Sequence, residues 1–568
     1  MVRRTSSPVC VMITGGAAYE SPKKKIEIWS TISILLFLAF LLFFIYPICT
    51  LLKQAFTTED AGFTLDNFVK FFSKPYYYNT ILNSFKVSIA VALVSLALGI
   101  LMSYFYSFYR LKGAKFILIS SILCCMSAPF IGAYAWILLL GRSGALTTLL
   151  KSIGIKVGSI YGFGGILLVQ ATKLYPLVMI YMNGMFSNLD NSLMEASANL
   201  GCSGVKRFLS VILRLSMPTI LAAALLVFMR AFADFGTPLL IGEGYRTFTV
   251  EIYKQFLSET GSDYGFAAAI SVIAIILTAA IFLLQKYATK KFSFTMNALH
   301  PVEKRDPKGF GGVMMHVFCY LVIAVSMLPQ LYIIYVSFRN SKMGVFQSGY
   351  SLDNYRSAIN NLLLRATGNT VIIGVVALAA IILLAVMISY LVVRRSNPLN
   401  HAIDTISMLP YIMPGSVIAI ALVIGFGRKP LVLTGTLAIM IIAVIIRRLP
   451  YTTRSATATL IQIPITIEEA AISLGASKMK TFFRVTVPMM SSGIVSGAIL
   501  SWVSIVTEVS SAAILYNSKS VTLTVGTYAA VNRGNLGEAA AFAAVTTVLT
   551  TISLLIYLRV NRGKQLEL

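Results

Sequence analysis

Stretches of roughly 20 apolar residues recur along the whole chain, and a run of that length is what a helix needs to cross a bilayer. Six fall near Ile28 to Leu52, Ile81 to Tyr109, Phe116 to Leu140, Ile160 to Met182, Met217 to Ile241 and Phe266 to Tyr287. Six more lie near Val313 to Phe338, Thr370 to Val393, Ala402 to Phe426, Leu431 to Ile446, Met489 to Leu515 and Ala539 to Leu558. Backbone in lipid must satisfy its own hydrogen bonds, so these runs restrict the chain to a bundle of helices. Composition agrees: 57% of the 568 residues are hydrophobic and 12% charged, about half the charged share of a soluble domain. The sequence thus predicts an all-α membrane protein with about 12 transmembrane helices.

Lys/Arg in short loops stay in the cytoplasm. An N-terminus placed inside puts about 28 of them on the cytoplasmic side and about 16 outside. Both termini are then cytoplasmic. Lys23, Lys24 and Lys25 precede a first apolar run too long for a cleaved signal peptide, which reads as a retained anchor. The net charge of +26 is spread over many loops, so it speaks for a positive-inside membrane protein and against nucleic acid. The six cysteines lack paired metal-ligand spacing, and His300, His316 and His401 are scattered. No catalytic residue, metal ligand or cofactor site is assigned to this chain.

The chain is also an internal duplication. A shift of 274 positions carries Glu195 onto Glu469, Gly201 onto Gly475, Pro176 onto Pro450 and Phe208 onto Phe482. Thr64-Leu65-Asp66-Asn67-Phe68 likewise resembles Ser351-Leu352-Asp353-Asn354-Tyr355, and Thr247-Phe248-Thr249-Val250 resembles Thr522-Leu523-Thr524-Val525. Four segments follow: a disordered tail over 1–22, a first repeat over 23–289, a polar cytoplasmic linker over 290–312 and a second repeat over 313–568. Six spans per half make the repeats parallel, related by an axis along the membrane normal, with a pathway between them.

The repeated signature runs Glu195-Ala196-Ser197-Ala198-Asn199-Leu200-Gly201 and Glu469-Ala470-Ala471-Ile472-Ser473-Leu474-Gly475. Ser192 and Thr466 stand three residues before the glutamates, the spacing of a capping box, so a short helix is expected to start at each. Gly201 and Gly475 suit the left-handed residue that ends a helix, and Ser203 and Ser477 the N-cap of the next. One such loop alone reads most simply as capped helices. Two at matched depth on the cytoplasmic side read as docking elements for a cytoplasmic partner.

With these residues in place, the chain resembles the permeases of binding-protein-dependent ABC importers. Their cytoplasmic loop carries Glu-Ala-Ala, three residues, Gly, nine residues, then Ile-x-Leu-Pro. Glu469, Ala470, Ala471, Gly475, Val485, Val487 and Pro488 follow that pattern. The first copy departs from it with Ser197 for the second Ala and Arg214 for the Pro. A single chain holding both halves, with Phe232-Ala233-Asp234-Phe235-Gly236-Thr237-Pro238 before Gly244-Tyr245-Arg246-Thr247-Phe248, is similar to the iron(III) permeases. Related permeases serve thiamine, aminoethylphosphonate and polyamines. The resemblance implies a coupling helix in each half, gripped through Glu195, Ala196, Gly201, Glu469, Ala470, Ala471 and Gly475 by two copies of an ABC ATPase. It also implies an extracytoplasmic substrate-binding protein and a place in the bacterial inner membrane. No Gly-x-x-x-x-Gly-Lys-Ser/Thr loop occurs, so ATP would be used by the partner ATPase.

Ionisable residues inside spans mark candidate pathways, because charge at membrane depth is costly. Arg230 and Asp234, four apart on one helix, can pair on one face. The 274-residue shift sets Asp234 on Glu508, so each half offers one carboxylate that could line a cation route. The plainer alternative is an intrahelical ion pair plus a carboxylate near the outer water. Lys173 can snorkel to the inner interface. Pro410 and Pro414 are expected to kink the ninth span. The rival of another class, an ion-gradient-driven secondary transporter, predicts dense polar residues at mid-membrane and has no use for paired docking loops. A membrane enzyme would need convergent His, Asp, Glu or Cys groups.

Overall fold

The computed structural model describes residues 28–57, 62–156, 158–257, 263–291, 300, 302–342 and 344–560. The expected tail over 1–22 and much of the linker, 292–299 and 301, lie outside the described residues. Apart from one hairpin, Arg339–Lys342 against Val345–Tyr350, regular structure among the described residues is helical. Among the described residues eight helices are long and apolar enough to cross a membrane: Ile28–Ala55, Pro75–Phe108, Pro129–Ser152, Phe163–Ser187, Tyr264–Tyr287, Gly309–Ser337, Leu363–Arg394 and Leu536–Ile556. The number rises to 11 if three bent pairs each count as one span.

Two of these pairs bend at Ser216 and Met490, and the expected runs are interrupted again further on, for local reasons. The expected run from Met217 to Ile241 stops being helical at Phe232, and the one from Met489 to Leu515 at Val506. Just beyond, Asp234 Oδ1 accepts from Gly236 N at 3.1 Å and Glu508 Oε1 from Ser511 N at 3.0 Å. A side chain that captures a backbone N–H two or three residues on competes with the helix ladder. The expected third span is interrupted between Met126 and Pro129, where proline pushes Ala128 to an extended conformation. At Pro414 the helices Pro398–Ile412 and Gly415–Phe426 meet at 114°, a sharper break than the expected kink.

The tenth run differs most from expectation. Its helix is Leu437–Gln462, beginning six residues after Leu431 and continuing well past Ile446. Arg447, Arg448 and Arg454 lie within it and lower its hydropathy, but Arg447 and Arg448 are buried against a carboxylate rather than set in a loop.

The halves are interlocked. The Ile28–Ala55 helix packs on the second half: Trp29 meets Tyr390 at 4.6 Å and Phe482 at 5.0 Å between ring centroids, and Phe43 and Tyr46 meet Phe426. Gly425 admits this approach, since a Cβ there would stand 3.0 Å from Pro47 Cα. Reciprocally, Gly309–Ser337 packs on the first half, where Cys319 and Ile323 share a buried cluster with Met102, Tyr175 and Met179. Outward faces carry exposed leucines such as Leu35, Leu93 and Leu383, as lipid contact requires.

Described residues of the linker are tied to the first half by hydrogen bonds. Arg305 N donates to Phe108 O and Arg110 N to Arg305 O, both at 2.9 Å, and Asn191 N donates to His300 O at 2.8 Å. Lys304 Nζ reaches Tyr106 O at 3.1 Å, and partial burial lowers the pKa of its ammonium.

Candidate functional site

The broken helices surround a central cavity of about 350 Å³, within the size range of small-molecule sites. Its lining includes Arg230, Asp234 and Glu508, so all three charges singled out in the sequence come together. It also includes Lys173, expected at the inner interface, and Arg447 and Arg448, which lie just past the expected end of the tenth run. The duplication could have found them. The 274-residue shift sets Lys173 on Arg447 and Arg230 on Ser504, and all four line this space.

The charges are not paired as their spacing suggests. Because the helix ends at Phe232, Asp234 lies beyond the last turn and loses the i,i+4 relation to Arg230. Asp234 accepts instead from Gln170 Nε2 at 2.9 Å and Gly236 N at 3.1 Å. The Arg230 guanidinium lies over the rings of Tyr411 at 5.7 Å and Tyr451 at 5.5 Å. Glu508 takes ion pairs from both Arg447 and Arg448, and its Oε1 accepts from Ser510 Oγ at 2.8 Å and Ser511 N at 3.0 Å. With 4% of its side chain exposed, Glu508 is fully committed.

Beyond both breaks the halves repeat one hydrogen-bond pattern. Thr249 Oγ1 donates to Asp234 O at 2.9 Å, and Thr524 Oγ1 to Glu508 O at 2.6 Å. Phe248 N donates to Ser84 Oγ and Leu523 N to Thr370 Oγ1. Tyr253 and Tyr528, one from each half, meet hydroxyl to hydroxyl at 3.1 Å. Around them Phe130, Phe235 and Val509 form a buried layer. Phe235 and Val509 of that layer line the cavity. The lining residues Leu226, Met229, Leu500 and Val503 precede the breaks, toward the signature loops.

Both signature loops are helix-turn-helix elements. The first helix is Asn191–Asn199 and its counterpart Thr466–Ser473. Gly201 has φ +77° and Gly475 φ +87°, the left-handed conformation their positions predict. Cys202 N donates to Ser197 O at 2.9 Å and Ala476 N to Ala471 O at 3.1 Å, closing each helix end in a Schellman motif. The helix starts differ from the expected capping boxes. Asp190, not Ser192, caps the first helix by accepting from Ser192 N at 2.9 Å, and Ile465 precedes the second with no side-chain cap. Asn191 Nδ2 engages Glu195 at 2.7 Å. Ser477 accepts from Lys480 N as an N-cap should, while Ser203 takes the position without such a bond.

Glu195, Ala196, Glu469 and Ala470 are exposed, and Ala471 is half-buried. Leu200 and Leu474, immediately before the glycines, are 84% and 90% exposed. They form two matched apolar knobs that sequence reasoning passed over, though one shift relates them. The second loop is fixed by Glu468, which pairs with Arg394 at 2.9 Å in a buried setting. The first has Met194 at the corresponding position, buried among apolar neighbours. Among the described residues no group of three or more His, Cys, Asp or Glu could hold a metal ion.

Residues 95–294 and 381–565 both match one family, described as binding-protein-dependent transport system inner membrane component. The chain is 25% identical over 547 residues to the ferric transport system permease protein of Actinobacillus pleuropneumoniae, covering 94% of this chain and 78% of the relative. It is 27% identical over 503 residues to a protein of Haemophilus influenzae provisionally named a ferric transport system permease, covering 86% and 77%. A Salmonella typhi protein, provisionally named a 2-aminoethylphosphonate transport system permease, is 26% identical over 263 residues, covering 45% of this chain and 89% of the relative. Two copies of one family unit, each with its broken span and its glycine turn, account for the duplication, and the chain belongs to the family of binding-protein-dependent transport system inner membrane components.

Proposed function

We propose that this chain is the fused permease of an ATP-driven ABC importer that takes up ferric iron from an extracytoplasmic binding protein. Two matched, exposed turns on a duplicated bundle that encloses a central cavity carry the proposal. The ferric transport names of relatives that align along most of the chain support the cargo. The bundle has 12 spans once the three bent pairs and Leu437–Gln462 join the eight long helices. The repeats run over 23–289 and 313–568, with 290–312 between them. Both signature loops and both termini face the cytoplasm, consistent with the contact of Trp29, near the start of the first helix, with Phe482 beside the second loop.

Each turn serves as a coupling helix for one of two ATPase copies. Leu200 and Leu474 offer apolar anchors, and Glu195 and Glu469 offer carboxylates to basic groups. Closure of the ATPases moves the loops, and the broken helices carry that movement to the layer around Tyr253 and Tyr528. This chain supplies the route and its partner uses the ATP. Bonds to Gln170, Gly236, Arg447 and Arg448 hold Asp234 and Glu508 in place along that route.

The test is ATP hydrolysis by the complex in proteoliposomes, with ferric-loaded binding protein outside. Stimulation by the loaded protein is expected, and Glu469→Lys should abolish it while leaving the permease inserted. Stimulation unchanged in Glu469→Lys would remove the coupling role. Stimulation by an aminoethylphosphonate-loaded protein and not by the ferric one would change the cargo.

A further inference from the structure

We propose that the central cavity is built for an anion, so that the solute crosses as a negatively charged species. For iron this means a ferric ion accompanied by an anionic oxygen ligand such as phosphate or citrate, not a bare cation. The proposal rests on the importer function above and adds to it the charge class of the cargo. The lining carries Lys173, Arg230, Arg447 and Arg448 against Asp234 and Glu508.

The balance of available charge is more uneven than that count. Glu508 is enclosed by two guanidiniums and by donors from Ser510 and Ser511. Asp234 is held by Gln170 and by the Gly236 amide. Glu508, paired with both arginines, is no spare ligand for a metal ion, which leaves Asp234 as one carboxylate facing four cations. Lys173 and Arg230 have no carboxylate within ion-pair distance among the described residues, and Arg230 rests on two tyrosine rings. Arg448 Nε is buried without an acceptor.

Guanidiniums present planar forks of donors that match phosphate and carboxylate oxygens. A cleft lined by one sign of charge concentrates the opposite ion and repels its own. A bare trivalent cation would meet four cations against two carboxylates, one of which is already enclosed by guanidiniums. An oxyanion, or a metal already wrapped in one, would meet Lys173 and Arg230 with no carboxylate to displace.

Two measurements separate this proposal from the ferric reading. Cys125 lines the cavity and is a free thiol, so it reports the local field. In the assembled complex, with Cys125 kept as the sole cysteine, it is treated with thiosulfonates carrying a sulfonate or a trimethylammonium group. After correction for their rates on a free thiol in solution, the sulfonate is expected to react about tenfold faster or more, and Arg230→Gln to shrink that preference. Equal rates, or a preference for the ammonium, overturn the proposal whatever the cargo.

The second measurement supplies proteoliposomes with binding protein carrying radiolabelled iron together with radiolabelled phosphate or citrate. Both labels are expected to enter in a constant ratio, with Arg230→Gln lowering both about tenfold. Iron that enters with no anion overturns the anion site and keeps the ferric cargo. Phosphonate that enters while iron does not overturns the ferric cargo and supports the anion site.

Discussion

Glu508 holds two guanidiniums in a space where none of the three side chains is more than 14% exposed. Removing one partner of a buried pair leaves uncompensated charge, at a cost of about 3–5 kcal/mol. Glu508→Gln is therefore expected to lower the unfolding midpoint of the purified complex markedly. Asp234→Asn should lower it much less, since an amide oxygen can still accept from Gly236 and Gln170 can turn its own amide to match. Equal midpoints for the two variants would show that the arginines do not depend on Glu508. The two carboxylates were legible because a charge in an apolar run is conspicuous. Arg447 and Arg448 were not, because the hydropathy of their helix falls where they begin, and a buried arginine pair then looks like the edge of a loop. Lys173 was misplaced for a related reason: its long stem permits snorkelling, and only its alignment with Arg447 under the duplication points inward.

At the scale of elements, the turn glycines carry the geometry of the signature loops. A Cβ on Gly475 would meet nothing within 4 Å, so Gly475→Ala acts through its φ of +87° alone. Holding a side chain in that region costs about 1–2 kcal/mol, enough to fray the turn without disturbing the bundle. The expected outcome is normal insertion and normal assembly, with stimulated ATP hydrolysis reduced severalfold. Full stimulation in the variant would mean the turn need not be rigid. The glycines were readable because left-handed backbone has few occupants, whereas the capping boxes failed because Asp190 stands one residue before the first helix and outcompetes Ser192. The breaks at Asp234 and Glu508 were hidden for a similar reason. Nothing in hydropathy distinguishes a carboxylate that ends a helix from one that decorates it.

At the scale of the whole molecule, the duplicated sequence suggests two adjacent bundles, but each half lends its first long helix to the other. That exchange was invisible in the sequence because apolar faces carry no address. It predicts that the halves, expressed as separate chains, copurify, and that Gly425→Val, which sets side-chain atoms against Pro47, weakens their association. Separate halves that never associate would contradict the interlock. In the proposed mechanism two exposed turns convert the work of separate ATPases into movement around one cavity. Solute uptake by proteoliposomes holding the permease, with and without the ATPase subunits, tests it most directly. Uptake is expected only when ATPase, ATP and loaded binding protein are all present, and uptake at full rate by the permease alone would rule the coupling out.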